Sequence, residues 1–151
     1  NRTGVRTFEA AAYLRRCGAD ITRVRKMFRD DIESYRAKAE AVRMAEVYRK
    51  QYAIAQCPSD IDSPTVLAAQ AANELLDISG IKASFVLTIY EGKIYMSARS
   101  IDEVNVQIIA EKLGGGGHIN SAGAQFDHTN MDEAIKTLKQ TIDQMIEEGD
   151  I

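Results

Sequence analysis

The sequence is poor in the residues from which covalent and metal-linked frameworks are built. Its two cysteines, Cys17 and Cys57, are isolated and have no CxxC spacing, so neither a disulfide framework nor a zinc site is indicated. Only two histidines occur, and no acidic cluster with histidine partners offers a two-metal site. We interpret His128, which directly follows Asp127, as part of a turn rather than of a ligand set. The cysteine usage is typical of a reducing, cytoplasmic setting.

Long apolar runs are also absent. No stretch approaches the roughly 20 apolar residues that a membrane-spanning helix needs, and the opening Asn1-Arg2-Thr3-Gly4 is not typical of a signal peptide. The 151 residues are 45% hydrophobic and 27% charged, which is ordinary for a globular protein with one good core.

Arginine is almost absent from the last two thirds of the chain. Residues 1–51 carry 13 Lys and Arg against 7 Asp and Glu, whereas residues 52–151 carry 6 against 15. Beyond Arg49 the only arginine is Arg99. This asymmetry indicates two structural units, and we predict one domain over residues 1–50 and a second over 51–151.

The spacing of apolar residues predicts that the first unit is helical. Three amphipathic helices are expected over residues 8–17, 21–28 and 31–50. Thr7 and Asp20 are suitable N-caps for the first two. The third has many charges and a modest apolar face, and we interpret it as a solvent-bridging connector between the units.

The second unit is predicted to mix helices and strands. Strands are expected over residues 83–90, 93–100 and near 122–126, and residues 52–57 form a short apolar run that Pro58 ends. Helices are expected over residues 65–78, after a capping box of Ser100 and Glu103, and after Asn130. Glu91-Gly92 is a two-residue hairpin signal between the first two strands. The predicted fold class is therefore α+β (α/β type), with helices followed by a mixed β-sheet that helices flank.

The most informative motif is the run Gly114, Gly115, Gly116 and Gly117, which His118 follows. Four consecutive glycines lose much backbone entropy on ordering, so a compact domain keeps them where the backbone turns with positive φ or approaches a ligand closely. The alternative is a flexible linker. Against it, the run lies between apolar segments and contains no Ser, Pro or Lys of the kind typical of linkers.

Polar residues near this loop suggest a phosphate-binding site. Alternation along residues 93–100 places Ser97 and Arg99 on one face of a strand, and Asn105 precedes the next helix. An arginine fork binds phosphate, glycine N–H groups cradle an oxyanion, and His118 adds a switchable donor or acceptor. The alternatives are a surface ion pair for Arg99 and a helix cap for Asn105. The loop lacks the GK[ST] ending of a P-loop, and no Ser-His-Asp arrangement can be argued.

These segments resemble the signature of the DHHA1 domain, the substrate-binding partner of DHH phosphoesterases. The similar segments are Ser97-Ala98-Arg99-Ser100, Val104-Asn105-Val106 and Leu113 to His118. The opening, from Arg2-Thr3-Gly4 to Arg15, resembles the end of a DHH domain. Overall the chain is most similar to the membrane-anchored cyclic-di-AMP phosphodiesterases of Gram-positive bacteria (GdpP type).

The resemblance implies hydrolysis of cyclic-di-AMP to linear pApA by a metal-activated water. A two-manganese (Mn2+) centre would lie upstream of Asn1, so this chain would be an inactive C-terminal fragment with no catalytic or metal-ligating residue of its own. It would belong to the cytoplasmic domain of a membrane-anchored bacterial protein. We interpret Arg2 and Arg6 as solvated residues of a basic helical surface. The resemblance implies these substrate-binding residues: Ser97, Arg99, Asn105, Gly114, Gly115, Gly116, Gly117 and His118.

The expected partner is a cyclic dinucleotide or a short linear dinucleotide. Two alternatives stay open: a nanoRNase or RecJ-like exonuclease acting on short oligonucleotides, and a non-catalytic nucleic-acid-binding DHHA1 module like the one appended to alanyl-tRNA synthetases. The acidic second unit argues against long nucleic acid, which favours a basic track with aromatic stacking platforms. Whether the chain forms a homodimer also stays open.

Overall fold

The computed structural model describes residues 3–101, 103–127 and 130–150. Backbone contacts divide the chain into two compact units, Asn1–Asp31 and Ile32–Ile151. Arg2 and His128 lie outside the described residues. Within the described part, no helix is both long and apolar enough to cross a membrane.

In the first unit, residues 3–31 are described, and they form two helices, α1 (Val5–Arg16) and α2 (Ile21–Met27). Asp20 caps α2 as expected, because its side chain accepts a hydrogen bond from the Thr22 N–H at 2.8 Å. The cap predicted for α1 is wrong, since Gly4 rather than Thr7 precedes its first turn. None of the residues of α1 and α2 is buried.

The described residues of the second unit form four helices and six strands. They are α3 (Ile32–Arg43), β1 (Glu46–Tyr48), β2 (Tyr52–Gln56), α4 (Pro64–Leu75), β3 (Ala83–Tyr90), β4 (Lys93–Ser100), α5 (Val106–Lys112), β5 (Gly116–His118), β6 (Ser121–Phe126) and α6 (Met131–Glu148).

The six strands form one mixed sheet in the order β1-β2-β3-β4-β6-β5. Strands β2 and β3 are parallel and α4 crosses between them, whereas every other neighbouring pair is antiparallel. Glu91 and Gly92 connect β3 to β4 with φ of 49° and 75°, the positive values that a tight hairpin turn requires. The α+β fold class predicted from the sequence is confirmed.

Helices cover the two faces of the sheet unequally. On one face, α5 and α6 pack over apolar side chains of β2, β3, β4 and β6, including Phe85, Met96 and Phe126. On the other, α4 packs through its alanines and leucines over Ala53, Ala55 and Val86. Beyond β3 on this second face, side chains of β4, β6 and β5 are half-buried or exposed. The sheet therefore keeps a partly open surface along these three strands.

The third helix differs from its prediction. It ends at Arg43 rather than near residue 50, and the missed strand β1 follows it. Ala41 is buried and Ala37 packs beside it against α4, so the helix is not a solvent-bridging connector. Small side chains allow this close approach despite the modest apolar face. The domain boundary between residues 50 and 51 stays a prediction, although the compact second unit already includes α3.

The capping box predicted at Ser100 is also wrong. Ser100 is the last residue of β4, and its hydroxyl donates to the carbonyl oxygen of Ile119 at 3.2 Å. Asn105 instead begins α5, because its Oδ1 accepts a hydrogen bond from the Gln107 N–H at 3.1 Å. The strand pairing therefore overrides a local helix signal.

Candidate functional site

Arg99, Ser121 and His118 lie in one row across three strands. The register pairs Arg99 with Ser121 between β4 and β6, and pairs Ser121 with His118 between β6 and β5. Directly opposed residues of antiparallel strands project from the same face of a sheet. The row therefore brings a guanidinium, a hydroxyl and an imidazole onto one face.

A second row lies two residues along the same strands. Ser97 pairs with Gly123, and Gly123 pairs with Gly116. Because side chains alternate along a strand, this row shares the face of the first. The two glycines leave the surface low beside Ser97, where a ligand can contact backbone. We call these six residues the polar face: Ser97, Arg99, Gly116, His118, Ser121 and Gly123.

Arg99 lies beside the part of the sheet that α4 covers. It is half-buried, and its Nη1 donates to the carbonyl oxygen of Ala98 at 2.8 Å. Burial lowers the pKa of its guanidinium below its ordinary value, although an arginine stays charged in proteins. No described carboxylate forms a salt bridge with Arg99, so the described residues do not support the surface ion pair considered above.

His118 is exposed at the edge of the sheet. Its Nδ1 accepts a long hydrogen bond of 3.5 Å from the backbone N–H of Asn120. In a neutral ring the proton then lies on Nε2, which can donate to an anionic oxygen. The two-residue turn of Ile119 and Asn120 is held to the rest of the domain, because its carbonyl oxygens accept from the N–H groups of Val106 and Ser100 at 3.0 and 3.1 Å.

The four glycines serve different purposes. Gly114 ends α5 with φ of 81°. A Cβ at Gly115 would lie 2.1 Å from the Gly123 carbonyl oxygen, and one at Gly117 would lie 2.5 Å from Ala122 Cα. A Cβ at Gly116 would meet nothing within 4 Å. The run is therefore a helix stop and an edge strand rather than a flexible linker. Of the four glycines, only Gly116 belongs to the polar face, and it has open space above it.

Asn105 is not on the polar face. Its side-chain oxygen caps α5, the role weighed against ligand binding in the sequence. Its contact with substrate stays a prediction.

The chain is similar in sequence to one protein family and to several known proteins. The DHHA1 domain matches residues 49–144, more than half of the chain. The chain belongs to the DHHA1 family. It is 44% identical over 143 residues to the cyclic-di-AMP phosphodiesterase PdeA of Listeria monocytogenes, covering 94% of this chain and 22% of the relative. It is 42% identical over 151 residues to the cyclic-di-AMP phosphodiesterase GdpP of Bacillus subtilis, covering 98% and 23%.

A solved structure confirms the fold of this DHHA1 chain. An exopolyphosphatase-related protein from Bacteroides fragilis superposes with a TM-score of 0.82 at 20% identity, covering 95% of this chain and 44% of that one. The DHHA1 chain thus spans less than a quarter of the length of the two curated relatives and under half of this structural neighbour.

The polar face of the DHHA1 domain is suited to binding anions. It offers donors from Arg99, His118 and two hydroxyls beside accessible backbone, and phosphate oxygens accept such hydrogen bonds. Among residues 3–101, 103–127 and 130–150, no three His, Cys, Asp or Glu side chains are grouped to hold a metal ion. A cavity of about 320 Å³ between Met44, Glu46, Ile54, Ala55, Gln56 and Ile135 shares no residue with the polar face.

Two members of the polar face were missed in the sequence. Ser121 and Gly123 alternate with Ala122 and Ala124, and the latter two are buried. The expected strand began at residue 122, which left Ser121 outside it. The alternation of small residues was a usable signal, but their position opposite Arg99 and Ser97 depends on a strand register that sequence alone does not supply.

Proposed function

We propose that the polar face binds the phosphates of a cyclic dinucleotide, and that this DHHA1 domain is the substrate-binding part of a cyclic-di-AMP phosphodiesterase. The observation that carries the proposal is the row of Arg99, Ser121 and His118. The names of two relatives that are 42–44% identical over nearly the whole chain support the choice of ligand.

Each group of the face has a separate task in this proposal. The Arg99 fork binds two oxygens of one phosphate, an arrangement that fixes orientation as well as charge. The hydroxyl groups of Ser97 and Ser121 donate hydrogen bonds to the same anion, and His118 donates one from Nε2. Gly116 allows the ligand to approach the backbone of β5, because no side chain stands above it.

In this proposal, hydrolysis is assigned to groups outside the described residues. The manganese centre implied by the resemblance would supply an activated water and charge neutralisation at phosphorus. The described residues do not fit such a centre, since none of them form a metal-ligating group. We therefore assign to this chain the binding and orientation of the substrate. Hydrolysis to linear pApA, the Mn2+ ions and the membrane anchor belong to the proposed whole enzyme.

Calorimetric titration with cyclic-di-AMP tests the proposal. Arg99→Ala should weaken binding by about 10- to 150-fold, because a hydrogen bond to a charged group contributes about 1.5–3 kcal/mol. Arg43→Ala is the matched control, since Arg43 is an exposed arginine of α3 paired with Glu40. It should bind as the parent does.

The outcomes separate the open alternatives. Tighter binding of linear pApA than of cyclic-di-AMP, with the same loss in Arg99→Ala, would indicate a linear dinucleotide as substrate. Affinity that increases with the length of a single-stranded oligonucleotide would favour the nucleic-acid-binding alternative. Equal affinities for the parent and Arg99→Ala, or no binding at all, would contradict the proposal.

A further inference from the structure

Tyr95 and Gln125 are direct cross-strand partners, and they lie on the same side of the sheet as the polar face. The register pairs them between β4 and β6. Tyr95 lies two residues before Ser97 and four before Arg99, and alternation places all three on one face. Both Tyr95 and Gln125 are half-buried. The face that carries Arg99 therefore continues into an aromatic ring beside a carboxamide.

The Tyr95 ring is supported from the β3 side. Tyr90 meets it edge-on, with ring centroids 6.0 Å apart and planes inclined by 62°. Thr88 is paired with Tyr95 in the register and is buried, and its hydroxyl donates to the carbonyl oxygen of Cys57 at 3.3 Å. A supported ring loses little conformational freedom when a planar ligand stacks on it.

Gln125 lies beyond the residues of β6 that pair with strand β5. Pairing of β5 with β6 covers residues 121–123 and stops before Gln125. A planar group lying on Tyr95 therefore has its edge beside Gln125.

The spacing along β4 matches one nucleotide. At a rise of about 3.4 Å per residue, the Cα atom of Tyr95 is about 7 Å from that of Ser97 and about 14 Å from that of Arg99. A phosphate held between Arg99 and Ser97 thus leaves room for a sugar before the ring. A base attached to that sugar reaches Tyr95.

We propose that Tyr95 and Gln125 form an adenine subsite, in which the ring stacks on the base and the carboxamide pairs with its edge. The proposal rests on the proposed function, because it needs a nucleotide phosphate at Arg99. Adenine presents an acceptor at N7 beside a donor at N6, which matches a glutamine carboxamide. Guanine presents two acceptors there. Gln125 therefore determines specificity, and Tyr95 provides affinity for either base.

Calorimetry of the parent, Tyr95→Ala, Tyr95→Phe and Gln125→Met with cyclic-di-AMP and cyclic-di-GMP tests the subsite. Tyr95→Ala should lose about 5- to 150-fold in affinity for both ligands, the range of one base stacked on an aromatic ring. Tyr95→Phe keeps the ring and should stay within about twofold of the parent. Gln125→Met preserves length and should reduce the preference for adenine over guanine about tenfold or more.

A direct readout keeps the test independent of folding effects. In the parent protein, NMR should show cross-relaxation between adenine H2 or H8 and the Tyr95 ring. One outcome overturns the subsite and leaves the proposed function standing. In it, Arg99→Ala weakens binding, Tyr95→Ala binds as the parent does, and the parent spectrum shows no cross-relaxation between adenine and the Tyr95 ring. If the parent shows no binding, or binding independent of Arg99, both are overturned.

Discussion

Gly115 packs against Gly123 so closely that a Cβ at position 115 would lie 2.1 Å from the Gly123 carbonyl oxygen. That contact is between two backbone segments of the same domain, where neither can move aside cheaply. The neighbouring Gly116 has no such contact and no positive φ. The two adjacent glycines therefore separate a requirement of folding at Gly115 from the binding role proposed for Gly116.

Alanine at these two positions should give opposite results. Gly115→Ala should lower the free energy of unfolding by at least about 1–3 kcal/mol, the range for overpacking a close contact. Gly116→Ala should unfold as the parent does and bind cyclic-di-AMP more weakly, because its methyl group occupies the space proposed for the ligand. Thermal denaturation and calorimetry measure the two effects. Unchanged affinity in Gly116→Ala would show that no ligand approaches the backbone there.

Replacing Asn105 should affect stability through the cap of α5. Asn105→Ala removes the acceptor for the Gln107 N–H and should cost about 1 kcal/mol in the free energy of unfolding. Asn105→Asp retains an N-cap acceptor and should be nearly as stable as the parent. Urea denaturation compares the three proteins.

Titration with cyclic-di-AMP then tests the second role predicted for Asn105. A carboxylate should repel phosphate, so weaker binding by a fully stable Asn105→Asp would indicate substrate contact. If its affinity matches that of the parent, Asn105 is a cap alone.

Stability should decline at alkaline pH because of Cys57. Burial raises the pKa of its thiol from the ordinary value of 9.0 to about 11. Between these values the unfolded chain releases the thiol proton while the folded chain keeps it. The folded state then binds more protons, so the free energy of unfolding falls as the pH rises. The contribution is complete below about pH 9 and is lost by about pH 11.

Urea denaturation across this pH window checks the effect. Cys57→Ala should decline less steeply than the parent. Cys17→Ala is the control, because Cys17 is exposed and its removal should leave the slope unchanged. Parallel curves for all three proteins would rule out the buried thiol as the cause.

Limited proteolysis should distinguish the predicted domain boundary from the compact units. Because no residue of α1 or α2 is buried, trypsin should cut first within residues 1–31, with Arg29 an exposed site near their end. A stable product starting near Ile32 and retaining α3 is expected, since Ala41 is buried against α4. Mass spectrometry identifies its first residue. A stable product that begins near residue 51 would support the boundary predicted from charge.

Local chemistry determined the elements whose signals lie within a few residues. Strands β3 and β4 occupy the predicted residues 83–90 and 93–100. Side chains alternate along β4, and the two-residue turn of Glu91 and Gly92 sets the register between the two strands. Asp20 and Asn130 cap the expected helices, because the side-chain oxygen of each accepts a hydrogen bond from the N–H group two residues later. The glycine run with His118, and the common face of Ser97 and Arg99, were likewise visible in the sequence.

Tertiary structure decided what depends on distant backbone. Strand β5 is formed by Gly-Gly-His, which has little intrinsic preference for strand, and it exists because β6 supplies its hydrogen-bond partners. The end of α3, the strand β1 and the failure of the Ser100 capping box follow from packing that no short segment encodes. Arg99 and His118 are 19 positions apart in the chain, and they share a row only because the register opposes Ser121 to both. The sequence determines which side chains are present. The side chains that come together are determined by the free energy of pairing whole strands and of burying one face of the sheet.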